Sequence, residues 1–90
     1  MNQQLSYFNQ GRSGNILYKD EFGSIKLYYE FGGGDCVAII FLPDYNEWSE
    51  TWEKDTWNEV LAFIAKQVIS DQAPDCHFRI GETSIEIFRK

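Results

Sequence analysis

A chain of 90 residues with 43% hydrophobic and 24% charged side chains has the size and balance of one globular domain built around one core. Its 8 Lys and Arg against 14 Asp and Glu leave a formal charge of −6, which repels phosphate backbones and anionic headgroups. Nucleic acid and membrane surfaces are therefore excluded as expected partners, and a basic protein surface is the favoured opposite. No stretch reaches the ~20 apolar residues of a spanning helix, and no apolar run follows a positive cluster near the start, so a cytoplasmic location is expected. The two cysteines, Cys36 and Cys76, lack C-x-x-C spacing and point to neither zinc nor a disulfide scaffold. Both are expected reduced and buried, with a single bridge between them as the alternative.

Residues 1–14 are polar, with Leu5, Tyr7 and Phe8 as the only apolar group, and read as an N-terminal arm that is either loose or a short edge element. Residues 15–90 form the α+β domain. Asn15 to Lys19 and Ser24 to Phe31 favour strands, and Asp20-Glu21-Phe22-Gly23 between them supplies turn chemistry, with glycine suited to positive φ. In the second of these strands Ile25, Leu27, Tyr29 and Phe31 share one face, and Ser24, Lys26, Tyr28 and Glu30 the other. Gly32-Gly33-Gly34-Asp35 then turns the chain into Cys36 to Leu42, a continuous apolar run expected to be the most buried strand and central in the sheet.

Pro43 ends that strand, and the stretch from Asp44 to Asp55 carries Tyr45, Trp48 and Trp52 among five acids. Thr56 and Glu59 have capping-box spacing, followed by Trp57, Val60, Leu61, Ile64 and Val68 on one helical face, and Pro74 stops the helix soon after Ser70. Five residues separate Trp52 from Trp57, so two helical pieces are expected instead of one rod. Cys76 to Ile80 and Thr83 to Phe88 flank Gly81-Glu82, which suits a two-residue type II′ hairpin setting Ile80 opposite Thr83, Phe78 opposite Ile85 and His77 opposite Glu86. The fold class is α+β: an antiparallel sheet of about five strands, in chain order β-β-β-α-β-β, with one main helix on one face.

Catalytic chemistry finds little support. Cys76 and the one histidine, His77, are neighbours in a strand and point to opposite faces, which leaves only Cys36 as a thiol partner for that imidazole. Glu47, Glu50 and Glu53, three apart, would line a helical face with mutual repulsion and have no buried setting to raise a pKa. Asp44, Asn46 and Asp55 mimic positions 1, 3 and 12 of an EF-hand loop, but Trp48 stands at a ligand position and Ser49 where the sharp turn needs glycine. The triple glycine leads into a strand and not a helix, so it reads as a turn and not a phosphate cradle. No catalytic residue, metal or cofactor is expected.

What remains is an aromatic and acidic cluster, Asp44, Tyr45, Glu47, Trp48, Glu50, Trp52 and Glu53, suited to contact with a partner rich in Arg and Lys. In size, charge and class the chain is similar to the small acidic α+β proteins with which bacteria and phages bind and neutralise enzymes. That likeness implies a non-enzymatic protein-binding domain of immunity or inhibitor type. The alternatives are a small-ligand or carbohydrate module stacking on Trp48 and Trp52, and a structural homodimer paired through sheet edges.

Overall fold

The computed structural model describes residues 2–89, so Met1 and Lys90 of the ranges above lie outside the described residues. The chain forms β1 (Gln4–Gln10), β2 (Ser13–Lys19), β3 (Ser24–Phe31), β4 (Cys36–Phe41), α1 (Tyr45–Trp48), α2 (Lys54–Gln72), β5 (Cys76–Ile80) and β6 (Ser84–Arg89). All six strands belong to one antiparallel sheet of order β1-β2-β3-β4-β6-β5. The class and the single main helix are as the periodicities indicate. The sheet has six strands instead of about five.

The extra strand comes from the polar arm. Gln4–Gln10 pairs along its whole length with β2, and the two-residue loop between them starts at Gly11, whose φ of 68° is open to glycine and strained for other residues. Leu5 and Tyr7 lie toward the core while Phe8 stays outside, so β1 is an edge strand that shields one flank of the sheet.

Alternation then decides burial. On the helix-facing side Ile16, Tyr18, Leu27, Tyr29, Ala38, Ile40, Ile85 and Ile87 are buried, and α2 closes over them with Trp57, Val60, Leu61, Ile64, Ala65 and Val68. Six of the helix's nineteen residues thus form the continuous stripe that its spacing implies. β4 is central, between β3 and β6, but it is not buried throughout: Ala38 and Ile40 are sealed, Ile39 is only half-buried, and Phe41 is exposed. The single helix covers one face only, so a continuous apolar run still obeys the period of two. On the open face Tyr28 and Phe41, paired in register, stack with centroids 5.8 Å apart. Phe31 points to the helix side but lies beyond the end of the covered area and is exposed.

Three local expectations are corrected. The helix starts at Lys54, not at Thr56, because the Trp57 amide already donates to the Glu53 carbonyl at 2.7 Å; Thr56 lies inside the first turn. The capping pattern operates instead at α1, where the Asp44 amide donates to the Glu47 carboxylate at 3.0 Å. In the last hairpin Ile80 pairs with Ile85 and Phe78 with Ile87, two residues away from the tight-turn register. Neither Gly81 nor Gly23 has positive φ, so no type II′ turn forms at Gly81, and Thr83 spends its carbonyl on the Leu42 amide at 3.0 Å. A shift of two leaves every side chain on its face, which is why the apolar matching survives.

Gly14 marks the tightest point of the sheet: a Cβ there would meet the Phe8 carbonyl and come within 2.7 Å of the Tyr29 hydroxyl, whereas a Cβ on Gly33 meets nothing within 4 Å. Gly14→Ala is therefore expected to lower stability by about 1–3 kcal/mol through overpacking, and Gly33→Ala to stay within about 0.5 kcal/mol of the parent, as read from urea unfolding midpoints.

Candidate functional site

The acidic segment is organised around a carboxylate that lies outside it. Asp20, at the β2–β3 turn, is only 6% exposed and accepts four hydrogen bonds. Its Oδ1 takes the Phe22 and Gly23 amides at 2.8 and 3.2 Å, an Asx turn that reverses the chain. Its Oδ2 takes the Tyr18 hydroxyl at 2.6 Å and the Trp52 indole N–H at 2.9 Å. Gln3 Nε2 donates in turn to the Tyr18 oxygen at 3.1 Å, which ties the start of the chain to the same network.

No cation neutralises Asp20 among the described residues; four neutral donors hold its charge. Burial works to raise its pKa, but the bonds from Tyr18, the Phe22 amide, Trp52 and the Gly23 amide together outweigh it, and the carboxyl ionises below its ordinary range. Burial and the bond to Asp20 push the Tyr18 hydroxyl up to about 12.

This network fixes where the tryptophans go. Trp52 is 2% exposed, so the expectation that it lies on a contact surface is corrected: it is a core residue whose one polar atom is satisfied by Asp20. It offers no face for a ligand to stack on. Trp57 packs against Trp52 at 5.4 Å, Trp48 stacks on Trp57 at 5.3 Å with ring planes 5° apart, and Tyr45 meets Trp48 edge-on at 5.1 Å. The aromatic column thus runs from the interior outward: Trp52 and Trp57 buried, Trp48 half-buried, Tyr45 68% exposed.

Asp44, Glu47, Glu50 and Glu53 are all exposed around this column. They do not share one long helical face, because α1 is a single turn that ends at Trp48 and a bend precedes Lys54. With Asp55 and Glu59 they place six acids and one lysine, Lys54, between residues 44 and 59. Glu53, Asp55 and Glu59 sit at or near the N-terminus of α2, where the helix dipole favours negative charge, so part of the cluster also stabilises the fold.

The structure adds a residue that the sequence reading did not include. Phe22, 58% exposed, sits at the β2–β3 turn and lines a shallow depression with Thr51, Trp52, Glu53 and Thr56. Gly23 beside it permits the approach, since a Cβ there would lie 2.9 Å from the Thr51 methyl. Of the aromatic side chains here, Tyr45 and Phe22 are therefore exposed and Trp48 half-buried, with exposed acids beside them in the chain. The only signal in the sequence was an apolar residue inside a turn.

Other chemical groups stay apart. His77 stands exposed on the open sheet face and stacks on Phe88 at 5.6 Å, not across from Glu86, whose partner is Arg79. Cys36 pairs with Phe88 from the other side, so two strand spacings, roughly 9–10 Å, separate its strand from that of His77. Both cysteines are free and half-buried, not fully buried. Among the described residues no group of three or more His, Cys, Asp or Glu is placed to hold a metal ion, and no helix is long and apolar enough to cross a membrane.

Asp20→Ala is expected to cost about 3–5 kcal/mol, because it strands the Trp52 N–H and two turn amides together. The pH dependence has a defined sign. Asp20 has a lowered folded pKa, so its contribution is complete above the ordinary carboxylate value near ~3.9 and is lost as pH falls through the folded value. Tyr18 has a raised one, so its contribution is complete below ~10 and is lost as pH rises toward about 12. Urea midpoints of the parent and of Asp20→Asn between pH 2 and 5 are the check, the variant having the flatter acid limb. Comparison with protein-family models, with curated proteins and with solved structures finds no match for this chain.

Proposed function

We propose that this chain is a non-enzymatic protein-binding domain of immunity or inhibitor kind, acting in the cytoplasm on a partner with a basic surface. The contact is made by Tyr45, the open edge of Trp48 and Phe22, with Asp44, Glu47, Glu50 and Glu53 around them. The single observation that carries this reading is that the two most exposed large apolar side chains both accompany the acidic segment, Tyr45 within it and Phe22 in the depression that it shares with Glu53. Exposed aromatics cost solvation unless something covers them, and an aromatic centre within a charged rim is the usual anatomy of a protein contact. The acids steer a basic partner in, and the rings hold it.

The rigidity of the corner supports the same reading. Tyr45 rests on a column of indoles anchored at Asp20, so little side-chain freedom is lost when a partner covers it.

The test is affinity capture from the native cell extract with the parent, with Tyr45→Ala, and with a triple variant carrying Glu47→Gln, Glu50→Gln and Glu53→Gln. For the captured protein Tyr45→Ala is expected to weaken binding by about 1–2 kcal/mol without moving the thermal midpoint, since the side chain is outside the core. The triple variant slows association and removes most of its salt dependence. A partner held equally well by all three proteins at low and high ionic strength rejects this surface.

A further inference from the structure

The core is not closed at the far end of α2. Between the last turns of the helix and the strands β1 to β4 and β6 lies a pocket of about 90 Å³, open to solvent, whose walls include Ile16, Ala38, Ile40, Val68 and Ile87. Small residues create it: Ala38 on the sheet and Ala73 just past the helix end leave space that larger side chains would fill. Phe31, Asn9 and Gln72 also line it. Tyr7 forms part of the wall, and its hydroxyl donates to the Asp71 carboxylate at 2.8 Å, pinning the end of the helix to the edge strand. The wall is therefore braced across the sheet edge.

One polar atom within it is unspent. Tyr29 as a residue is only 6% exposed and lines the pocket; its hydroxyl makes no hydrogen bond with any described residue, unlike the hydroxyls of Tyr7, Tyr18 and Tyr28, and keeps contact with solvent. Its position is set from behind, where Gly14 provides the room that a Cβ would take away. Burial raises its pKa, so the phenol keeps its proton and remains a donor. The hydroxyl thus keeps a donor that the protein does not use, and a ligand acceptor can replace the water it meets while the apolar body of the ligand leaves water.

The lining sets the chemistry of the ligand. No Asp, Glu, Lys, Arg or His lines the pocket, so nothing compensates an ionised group, and the net charge of −6 opposes anions further. The volume is about three times the ~30 Å³ share of a water molecule and below the ~150 Å³ of an engineered cavity that encloses benzene, so a ring enters partly and its remainder lies against Phe31 at the open side. We propose that this pocket binds a small neutral amphiphile, with an apolar body of ring size and one hydrogen-bonding group that meets the Tyr29 hydroxyl. The site is separate from the acidic corner, and neither reading rests on the other.

The experiment uses the intact chain and three probes: p-cresol, toluene and 4-methylbenzoate, followed by amide chemical shifts in two-dimensional nuclear magnetic resonance. p-Cresol is expected to give saturable shifts centred on Ala38, Ala73 and Ile87, with a Kd on the order of 1 mM or below, as suits a ligand of this size. Tyr29→Phe keeps the ring and removes the hydroxyl; it is expected to weaken p-cresol by roughly 2- to 10-fold and to leave toluene within about 2-fold. Ala73→Leu fills the open side and abolishes both. Should Tyr29→Phe fail to fold, the parent still decides, because p-cresol must then bind at least about 2-fold tighter than toluene. The proposal is overturned by an absence of saturable shifts at the lining residues up to about 10 mM, by equal p-cresol affinity in Tyr29→Phe, or by 4-methylbenzoate binding as well as p-cresol.

Discussion

A single buried carboxylate holds the two halves of this domain in register. Asp20 closes the β2–β3 turn through two backbone amides and, on its other oxygen, captures Tyr18 from the sheet and Trp52 from the linker between the helices. Removing an ion from water is expensive, and only a full set of short donors makes it tolerable. Here the set is complete, and no buried side-chain nitrogen or oxygen among the described residues is left without a partner. The interaction is also specific in a way that apolar packing is not, since each donor has one direction in which it satisfies the acceptor.

From that anchor the aromatic column follows. With the Trp52 indole held inward, Trp57 packs on it, Trp48 stacks on Trp57, and Tyr45 comes to rest at the surface. The acids cannot follow the rings inward, because no donors are provided for them, so they collect around the outer end of the column. Surface chemistry at this corner is thus a consequence of one buried charge located in another part of the chain.

The sheet is asymmetric because one helix covers it. About 28 Å of α2, at ~1.5 Å per residue, shields the Ile16, Ile40, Ile85 and Ile87 layer, while Tyr28, Phe41 and Phe88 must shelter each other or use nearby long side chains. Arg79 lies over Phe88 with its guanidinium 5.5 Å from the ring, a contact that covers apolar surface with a charged group. The two candidate sites sit at opposite ends of the same helix. The N-terminal end, where the dipole suits acids, bears the charged corner; the C-terminal end, where side chains become small, leaves the apolar pocket.

Local periodicity determined the elements. The stripe from Trp57 to Val68, the alternation in Ser24–Phe31, and the turn residues of Asp20–Gly23 are nearest-neighbour properties, and they carried the fold class, the position of the main helix and the core faces into the sequence. The acids at Asp44, Glu47, Glu50 and Glu53 were legible as a solvated cluster for the same reason, since charge without a partner stays in water. Tertiary structure alone decided the fate of Trp52, because an indole among acids reads as exposed until a carboxylate 32 residues earlier accepts its N–H. It also decided that Gln4–Gln10 is a strand, since a polar edge strand is stabilised by backbone bonds to a neighbour and not by its own pattern. The insertion of β6 between β4 and β5, the surface role of Phe22, and the pocket beside Tyr29 belong to the same class. Each depends on contacts between segments distant in the chain, and no local spacing encodes them.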